Sequence, residues 1–210
     1  MVERVLSLDI STKTGWSLQL SGQGDISLEG YGQFKPISMP EDVPYPESFV
    51  DWANKVFSGI LDLINKMKPD VLVIEETASG SKSIYSQKIL EYIHFLVASY
   101  IKQTKIKAVY IMTEQWRRET GCLMSKEESK KNKQVREYKK KNATNIAYDE
   151  EGKRIGLVNR KHVNVRRANE VFGKFLAVPL RKKDEDTADS LMLGYCYHVR
   201  KNRVSGEENE

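Results

Sequence analysis

Three short segments in the N-terminal part of the chain have strand character, at residues 3–9, 14–21 and 25–34. The first contains a short apolar run of Val5, Leu6 and Leu8, and apolar and polar residues alternate in the second. Both patterns are typical of β-strands, and turn-forming residues separate the segments. Because the connections are short, the three strands are predicted to form an antiparallel meander. A loop with four prolines follows, and apolar residues then recur at helical spacing, which predicts an amphipathic helix over residues 47–67.

Strands and helices alternate in the rest of the chain. Residues 71–76 form a continuous apolar run that ends in two glutamates, as expected of a strand buried on both faces. A fifth strand is predicted over residues 108–112. The predicted helical segments are 84–103, 114–118, 163–175 and 182–198, with a weak local helix over 126–142. This order of elements is typical of an α/β protein.

Acidic residues stand where the first and fourth strands end. Asp9 ends one and Glu75 the other, and open α/β sheets form their sites at the carboxyl ends of strands. Asp186 and Asp189 are three residues apart, so both project from one face of a helix. Four carboxylates brought together would raise one another's pKa unless cations lay between them. Hard oxygen ligands favour Mg²⁺ or Mn²⁺, so these four acids are the candidate catalytic and metal-binding residues.

Each acid also has an interpretation without function. Asp9 suits the turn of an ordinary hairpin, and for this segment alone that interpretation is favoured. Asp186 and Asp189 suit the first turn of a helix, where acids are stabilising by about 0.3–1 kcal/mol. The four acids taken together favour a shared site.

The charge of the chain is unevenly distributed. The 210 residues carry a net charge of +5, and residues 126–161 contain twelve basic and six acidic residues, so the whole surplus lies there. Such a segment is expected of a polyanion-binding surface, and equally of a solvated loop. We predict one domain over residues 1–200, with a basic insertion at about 120–160 and a disordered tail over 201–210.

Hydropathy and cysteine content indicate a cytoplasmic protein. No apolar run approaches the roughly 18 residues of a membrane-spanning helix. Cys122 and Cys196 are too few for a disulfide framework and lack metal-site spacing, so reduced thiols are expected.

Four segments carry a resemblance to a known family. They are Leu8-Asp9-Ile-Ser-Thr-Lys-Thr-Gly-Trp16, Val73-Ile-Glu75-Glu76, Glu114-Gln-Trp116-Arg117 and Asp186-Thr-Ala-Asp189-Ser-Leu191. In order and spacing the chain resembles the RuvC-type Holliday junction resolvases of the RNase H-like (retroviral integrase) superfamily, especially their bacteriophage members. The resemblance covers roughly residues 1–118 and 160–200.

The resemblance implies an RNase H-like fold, in which three antiparallel strands and then two parallel strands form one mixed sheet flanked by helices. It implies that Asp9, Glu75, Asp186 and Asp189 hold two Mg²⁺ ions, which Mn²⁺ can replace, for phosphodiester hydrolysis to 5′-phosphate and 3′-hydroxyl ends. A homodimer would cut opposed strands of a four-way DNA junction in the cytoplasm of a bacterium or of an infected host cell. Helix 84–103 has more than one apolar face and is the candidate dimer contact; burial within its own domain is the alternative.

Some features depart from the bacterial members of that family. Asp9 is followed by Ile-Ser instead of Pro-Gly, and the loop after Glu75 lacks the aromatic residue that those members place there, for which Tyr85 is the candidate substitute. The basic segment is also longer. The candidate DNA contacts are Lys82, Tyr85, Arg117, Arg118, Lys139, Lys140, Lys141, Lys161, Arg166 and Arg167.

Two other functions stay open at this point. One is a non-catalytic protein that binds branched DNA on the same scaffold, although the presence of all four acids argues against it. The other is a fragment of an actin-like ATPase or sugar kinase, whose first phosphate loop also follows a strand aspartate with small residues and a glycine. Such enzymes need two domains and a much longer chain.

Overall fold

The centre of the molecule is a five-stranded mixed sheet. The structure is a computed structural model, and it describes residues 2–22, 25–35, 38–39, 41–77, 84–148, 151 and 153–207. The strands are β1 (Glu3–Asp9), β2 (Gly15–Gly22), β3 (Asp25–Gln33), β4 (Val71–Glu76) and β5 (Lys107–Met112). Their order is β3-β2-β1-β4-β5; β1, β2 and β3 pair antiparallel, and β4 pairs parallel with β1 and β5. The predicted α/β class and the mixed sheet are confirmed.

Six helices and a small hairpin surround the described part of this sheet. The helices are α1 (Glu47–Met67), α2 (Ile84–Thr104), α3 (Thr113–Glu119), α4 (Lys126–Lys141), α5 (Arg160–Phe172) and α6 (Glu185–Glu207). The hairpin joins β6 (Ala147–Tyr148) to β7 (Arg154–Ile155) within the basic segment. None of the helices in the described ranges is both long and apolar enough to span a membrane. Cys122 and Cys196 are free and buried.

One face of the sheet is covered by α1 and α2 through an apolar core. Side chains from three strands point into this core and are fully buried: Leu6, Leu8, Leu18, Leu72 and Ile74. The helices meet them with Phe49, Val56 and Ile60 from α1 and with Ile89, Ile93 and Val97 from α2. This packing follows from the helical spacing of apolar residues in α1.

The other face is covered by α6, with α5 and α3 beside it, and is apolar over β4 and β5. Over β1 and β2 it is mixed: Val5 of β1 belongs to the apolar core, and the positions beside it are polar. Ser7 and Ser17 are fully buried, and their hydroxyl oxygens are 2.6 Å apart. Ser7 donates a hydrogen bond of 2.8 Å to the Ser190 carbonyl, and the buried Gln19 amide donates one of 2.9 Å to the Leu191 carbonyl. These bonds tie the second turn of α6 to the two strands.

Several boundaries differ from those predicted. Helix α5 begins at Arg160, earlier than predicted, because the Asn159 side chain caps it by accepting a 2.9 Å hydrogen bond from the His162 amide. The weak helix of the basic segment is a full α4, started by a capping box between Ser125 and Glu128.

The segment from residue 201, which was expected to be a disordered tail, is helical as far as residue 207. Helix α6 continues to Glu207, and no proline or glycine interrupts it before Gly206. Arg200 near its exposed end forms an ion pair of 2.7 Å with Glu119 of α3. Residues 208–210 lie outside the described residues.

Candidate active site

Asp9 and Glu75 lie side by side at the carboxyl edge of the sheet. The parallel register of β1 and β4 pairs Leu8 with Ile74, and the next residue of each strand is the acid. Two adjacent parallel strands therefore deliver a carboxylate to the same place, as the sequence pattern predicts.

Helix α6 brings Asp186 and Asp189 to the same edge. Its first turn lies directly on the start of β2, so that a Cβ built on Gly15 would be 1.9 Å from the Asp186 carbonyl oxygen. Only glycine permits this approach of helix and strand. Gly194, two turns along, fits equally tightly, because a Cβ there would be 2.5 Å from the Gln19 amide nitrogen. The glycines and the buried hydrogen bonds of Gln19 together fix the position of α6 over the strands.

The Asp9 carboxyl is influenced by the charges of the other three acids. Burial raises the pKa of Asp9 well above its ordinary value, and the charges of Glu75, Asp189 and Asp186 raise it further, against a lowering by Arg117. The Asp9 carboxylate has no hydrogen-bond or ion-pair partner among the described residues. A half-buried carboxylate without a partner and among like charges is unfavourable, and a cation would relieve it.

Glu75 is held by helix α3. The Thr113 hydroxyl donates a hydrogen bond of 2.5 Å to one carboxylate oxygen, and the Trp116 indole donates one of 2.9 Å to the other. Trp116 is fully buried, so its ring position is fixed by packing. Both oxygens of Glu75 are thus oriented before any ligand binds.

Asp189 is held from two sides. The amide of Asn164 on α5 donates a hydrogen bond of 2.7 Å to Oδ1, and the Arg117 guanidinium lies 3.5 Å from Oδ2. Burial raises the pKa of Asp189 to about 6, the Arg117 charge and the Asn164 hydrogen bond lower it, and the charges of Glu75 and Asp186 raise it. Asn164 is itself fully buried, and its carbonyl oxygen has no partner among the described residues.

Basic side chains neutralise part of the acidic centre. The Lys13 ammonium lies 3.2 Å from Asp186, and Lys161 forms an ion pair with Glu185 at the start of α6. Among the described residues, no three carboxylate, histidine or cysteine side chains are close enough together to form a metal coordination shell. The acids interact through space, while Lys13 and Arg117 balance two of them.

The donor set nevertheless fits divalent cations. Four carboxylates at one edge supply hard oxygen ligands, one of them lacks any partner, and two are oriented by neutral donors. Their roles as metal ligands and catalytic residues stay a prediction.

The structure brings only some of the predicted DNA contacts to this edge. Arg117 touches Asp189, and Lys161 touches the first turn of α6. Arg166 pairs with Glu128 at 2.7 Å, and Arg167 donates a hydrogen bond of 2.9 Å to the Thr120 carbonyl, so both also stabilise the protein itself. Lys82 lies outside the described residues.

The remaining predicted contacts lie further out. Lys139, Lys140 and Lys141 form the last turn of α4, and Arg118 is exposed on α3. Tyr85 is 70% exposed in the first turn of α2, stacked beside Phe49 with ring centroids 6.0 Å apart.

Sequence reasoning missed four residues of the site. Thr113 and Asn164 carry no prediction from the sequence, and Lys13 and Trp116 appear there only within motifs. The need for a positive group beside a buried acid points to a lysine or arginine, and Lys13 lies four residues after Asp9. No sequence signal distinguishes Asn164 from a surface asparagine of a helix.

Solved structures share this fold, whereas no protein-family model and no curated protein sequence matches the chain. One is RuvC of T. thermophilus in complex with a Holliday junction substrate, at TM-score 0.58 and 10% identity, covering 97% of this chain and 96% of that one. Another is the yeast mitochondrial Holliday junction resolvase Ydc2, at TM-score 0.51 and 15% identity, covering 99% and 85%. The fowlpox virus resolvase bound to Holliday junction DNA matches at TM-score 0.50 and 13% identity, covering 94% and 97%.

At these identities the similarity establishes the fold. The chain has the RNase H-like fold of the RuvC-type junction resolvases, as the resemblance implies. Its placement among bacteriophage members stays a prediction.

Proposed function

We propose that the protein is a divalent-metal-dependent endonuclease that cuts branched DNA, with four-way Holliday junctions as its main substrate. The observation that carries this proposal is geometric: Asp9 and Glu75 end adjacent parallel strands, and the first turn of α6, with Asp186 and Asp189, lies against the start of β2. The sheet has the fold of junction resolvases. Solved structures of that fold include complexes with Holliday junction DNA, which supports branched DNA as the ligand.

Each side chain of the centre has a task in this proposal. The four acids would hold two Mg²⁺ ions, and the chemistry that such ions would supply is activation of a water and stabilisation of the leaving 3′ oxygen. Thr113 and Trp116 keep Glu75 in one orientation, and Asn164 does the same for Asp189. Lys13 and Arg117, which pair with Asp186 and Asp189, would be the basic groups available to the phosphate of the DNA strand. The products carry 5′-phosphate and 3′-hydroxyl ends.

Cutting of opposed strands requires two active centres, and α2 is the proposed contact between two copies. It buries Ile89, Ile93 and Val97 against α1. Phe95, on another face, is 70% exposed, and Ile84 at the start of the helix is 73% exposed. A second apolar surface on one helix is what a symmetric dimer contact needs.

Helix α4 is proposed as a contact with DNA phosphates. The changes Lys139→Ala, Lys140→Ala and Lys141→Ala should weaken junction binding and flatten its salt dependence, since each lost duplex phosphate contact removes about 0.9 from the log–log slope. A matched triple variant is Lys66→Ala, Lys102→Ala and Lys105→Ala, at the opposite edge of the sheet. Junction binding is measured from low to high salt for wild type and for the α4 variant. If the salt dependence of binding is equal in the two proteins, α4 is a solvated helix that does not contact DNA.

One experiment tests the proposed function as a whole. Labelled four-way junction, fork and linear duplex are incubated with the protein in Mg²⁺, Mn²⁺ or Ca²⁺ and resolved on a denaturing gel. The proposal predicts that the junction is cut in Mg²⁺ or Mn²⁺ with symmetrical incisions, and that linear duplex stays intact. Binding of junctions without cutting in any metal would instead indicate a non-catalytic DNA-binding protein, and ATP hydrolysis without cutting would indicate an actin-like ATPase.

A further inference from the structure

A cavity of about 380 Å³ lies beside the acidic centre, between α3, the start of α4 and the start of α5. We call it the arginine pocket, and the residues that define it here are Glu114, Arg117, Arg118, Leu123, Met124 and Arg160. We propose that the arginine pocket binds one unstacked nucleotide of the cleaved strand, next to the phosphodiester that is cut. This inference rests on the proposed function, because it needs a DNA strand at the acids.

Arg117 connects the pocket to the acidic centre. Its guanidinium lines the pocket and also lies 3.5 Å from Asp189. It is stacked over the buried ring of Trp116, 5.0 Å from the ring centroid, and Trp116 donates to Glu75. A strand whose phosphate reaches the acids therefore has its neighbouring nucleotide at the pocket.

The charge of the pocket suits a phosphate. Arg117, Arg118 and Arg160 line it, and Glu114 is the one opposing acid among the described residues of its lining. Arg118 and Arg160 have exposed side chains and no ion pair within the described residues. Guanidinium groups bind phosphate oxygens through paired hydrogen bonds, and three of them around one cavity favour a phosphorylated ligand.

The other wall suits a nucleobase. Leu123 is 55% exposed although it stands among arginines and close to an acidic centre, and Met124 lies beside it. Bases stack on apolar side chains and on guanidinium planes, whereas a pocket for phosphate alone has no use for these apolar groups. The volume lies near the lower limit of small-molecule pockets, so it is suited to a single nucleotide and excludes a duplex.

The pocket is built before any ligand binds. The Asn132 side chain of α4 donates hydrogen bonds of 3.2 Å to the Met124 sulfur and 2.7 Å to the Val158 carbonyl. Arg166 of α5 pairs with Glu128 of α4 at 2.7 Å. These contacts hold the helices apart at a fixed distance, and such preorganisation favours binding.

A nucleotide pocket at this position would contribute to substrate choice. Extracting a base from a continuous duplex costs a few kcal/mol, and the cost is least where bases are already unpaired or unstacked. A branch point offers such bases, so the pocket would favour cutting at the crossover over cutting in a duplex arm.

The test combines substitutions with abasic DNA. Junctions carrying one abasic residue at successive positions on either side of the mapped cut are cleaved by wild type and by Leu123→Ala. One flanking position should reduce wild-type cleavage about tenfold, the scale of one base stacked on a side chain. Leu123→Ala should reduce the cleavage rate of the intact junction by a similar factor. On the abasic junction, Leu123→Ala should cleave no more slowly than wild type does.

Controls separate this effect from misfolding and from general charge. Leu157→Ala removes an exposed apolar residue of the basic segment outside the pocket and should cut normally. Arg118→Ala should weaken cutting, whereas Arg136→Ala, at an exposed arginine of α4, should have a smaller effect. Melting temperatures of Leu123→Ala and Arg118→Ala should equal that of wild type, because both side chains are exposed.

Each outcome decides between the two proposals. If wild type cuts the junction but no abasic position matters, or if the abasic and Leu123→Ala losses multiply, the nucleotide pocket is overturned and the nuclease stands. If wild type neither binds nor cuts junctions, the proposed function fails and this inference fails with it.

Discussion

The two faces of the sheet differ in how they bind their helices. The face under α1 and α2 is apolar throughout, and its strand residues such as Leu6 and Leu72 are fully buried. The face under α6 carries buried Ser7, Ser17 and Gln19, two glycines pressed against neighbouring atoms, and the four acids at its edge. Apolar packing gives stability with little directional preference, whereas hydrogen bonds and close backbone approach fix one register. Both faces bury an apolar core. We infer that the polar part of the second face adds the positioning of the chemistry to that stability.

The largest expected effect is a loss of cleavage from a substitution on the α6 face, compared with a loss of stability from a substitution on the α1 and α2 face. Asp9→Asn should lower junction cleavage more than about 10²-fold, because a lost metal ligand removes several kcal/mol of transition-state stabilisation. Leu72→Ala should cost about 2–5 kcal/mol of unfolding free energy, since it leaves a cavity in the apolar core. Cleavage per folded molecule and denaturant unfolding are measured for both. Similar losses of cleavage in the two folded variants would remove the distinction.

Asn164 tests how finely the α6 face is arranged. Asn164→Ala leaves Asp189 without its neutral hydrogen-bond donor, so the Mg²⁺ concentration needed for half-maximal cleavage should rise about 10–100-fold. Asn132→Ala is the matched control. It also removes a buried amide, but one that bonds to Met124 in the pocket wall and to Val158 after β7. It should lower stability and leave the Mg²⁺ dependence unchanged. An unaltered Mg²⁺ requirement in Asn164→Ala would make the residue purely structural.

Much of the fold was predictable because its signals are local. The short apolar run of β1, the period of two in β2, the continuous apolar run of β4 and the helical spacing in α1 each reflect packing against the core. The acids of β1 and β4 were also predictable as a pair, since both end apolar strands.

The polar side of the sheet was not predictable from the same signals. Ser17 and Gln19 alternate with apolar residues, which is also the pattern of a strand that faces water. Their burial depends on the Ser190 and Leu191 carbonyls, about 170 residues further along the chain. The role of Asn164 could not be predicted for the same reason, because its partner Asp189 lies 25 residues away in another helix. The single-domain boundary at residue 200 stays a prediction.

The smallest expected effect concerns pH and stability. The pKa values of Asp9 and Asp189 are higher in the folded state than in the unfolded chain. Their protonated forms therefore stabilise the folded state, and this contribution is complete at a pH below the ordinary pKa of an aspartate. It is lost as the pH rises through the folded-state pKa, which is about 6 for Asp189. Without divalent metal, Asp9→Asn should therefore melt higher than wild type at pH 8, by about 2–4 °C for each kcal/mol gained.

The difference should shrink as the pH falls towards 4, and Mg²⁺ at pH 8 should raise the melting temperature of wild type more than that of the variant. Thermal melts monitored by circular dichroism in chelator and in Mg²⁺ measure both effects. A variant that melts lower than wild type at pH 8 in chelator would contradict the isolation of the Asp9 carboxylate.

The most direct test of the account compares metal binding after substitution of either of two adjacent glutamates. Glu75 lies in the acidic centre, and Glu76 is the next residue of β4 but exposed. Mn²⁺ binding to the wild-type protein, Glu75→Gln and Glu76→Gln is measured by titration calorimetry at pH 8. The account predicts that Glu76→Gln binds like wild type and that Glu75→Gln loses at least one ion or binds it far more weakly. Equal Mn²⁺ binding by all three proteins would contradict a divalent-metal site formed by the four acids.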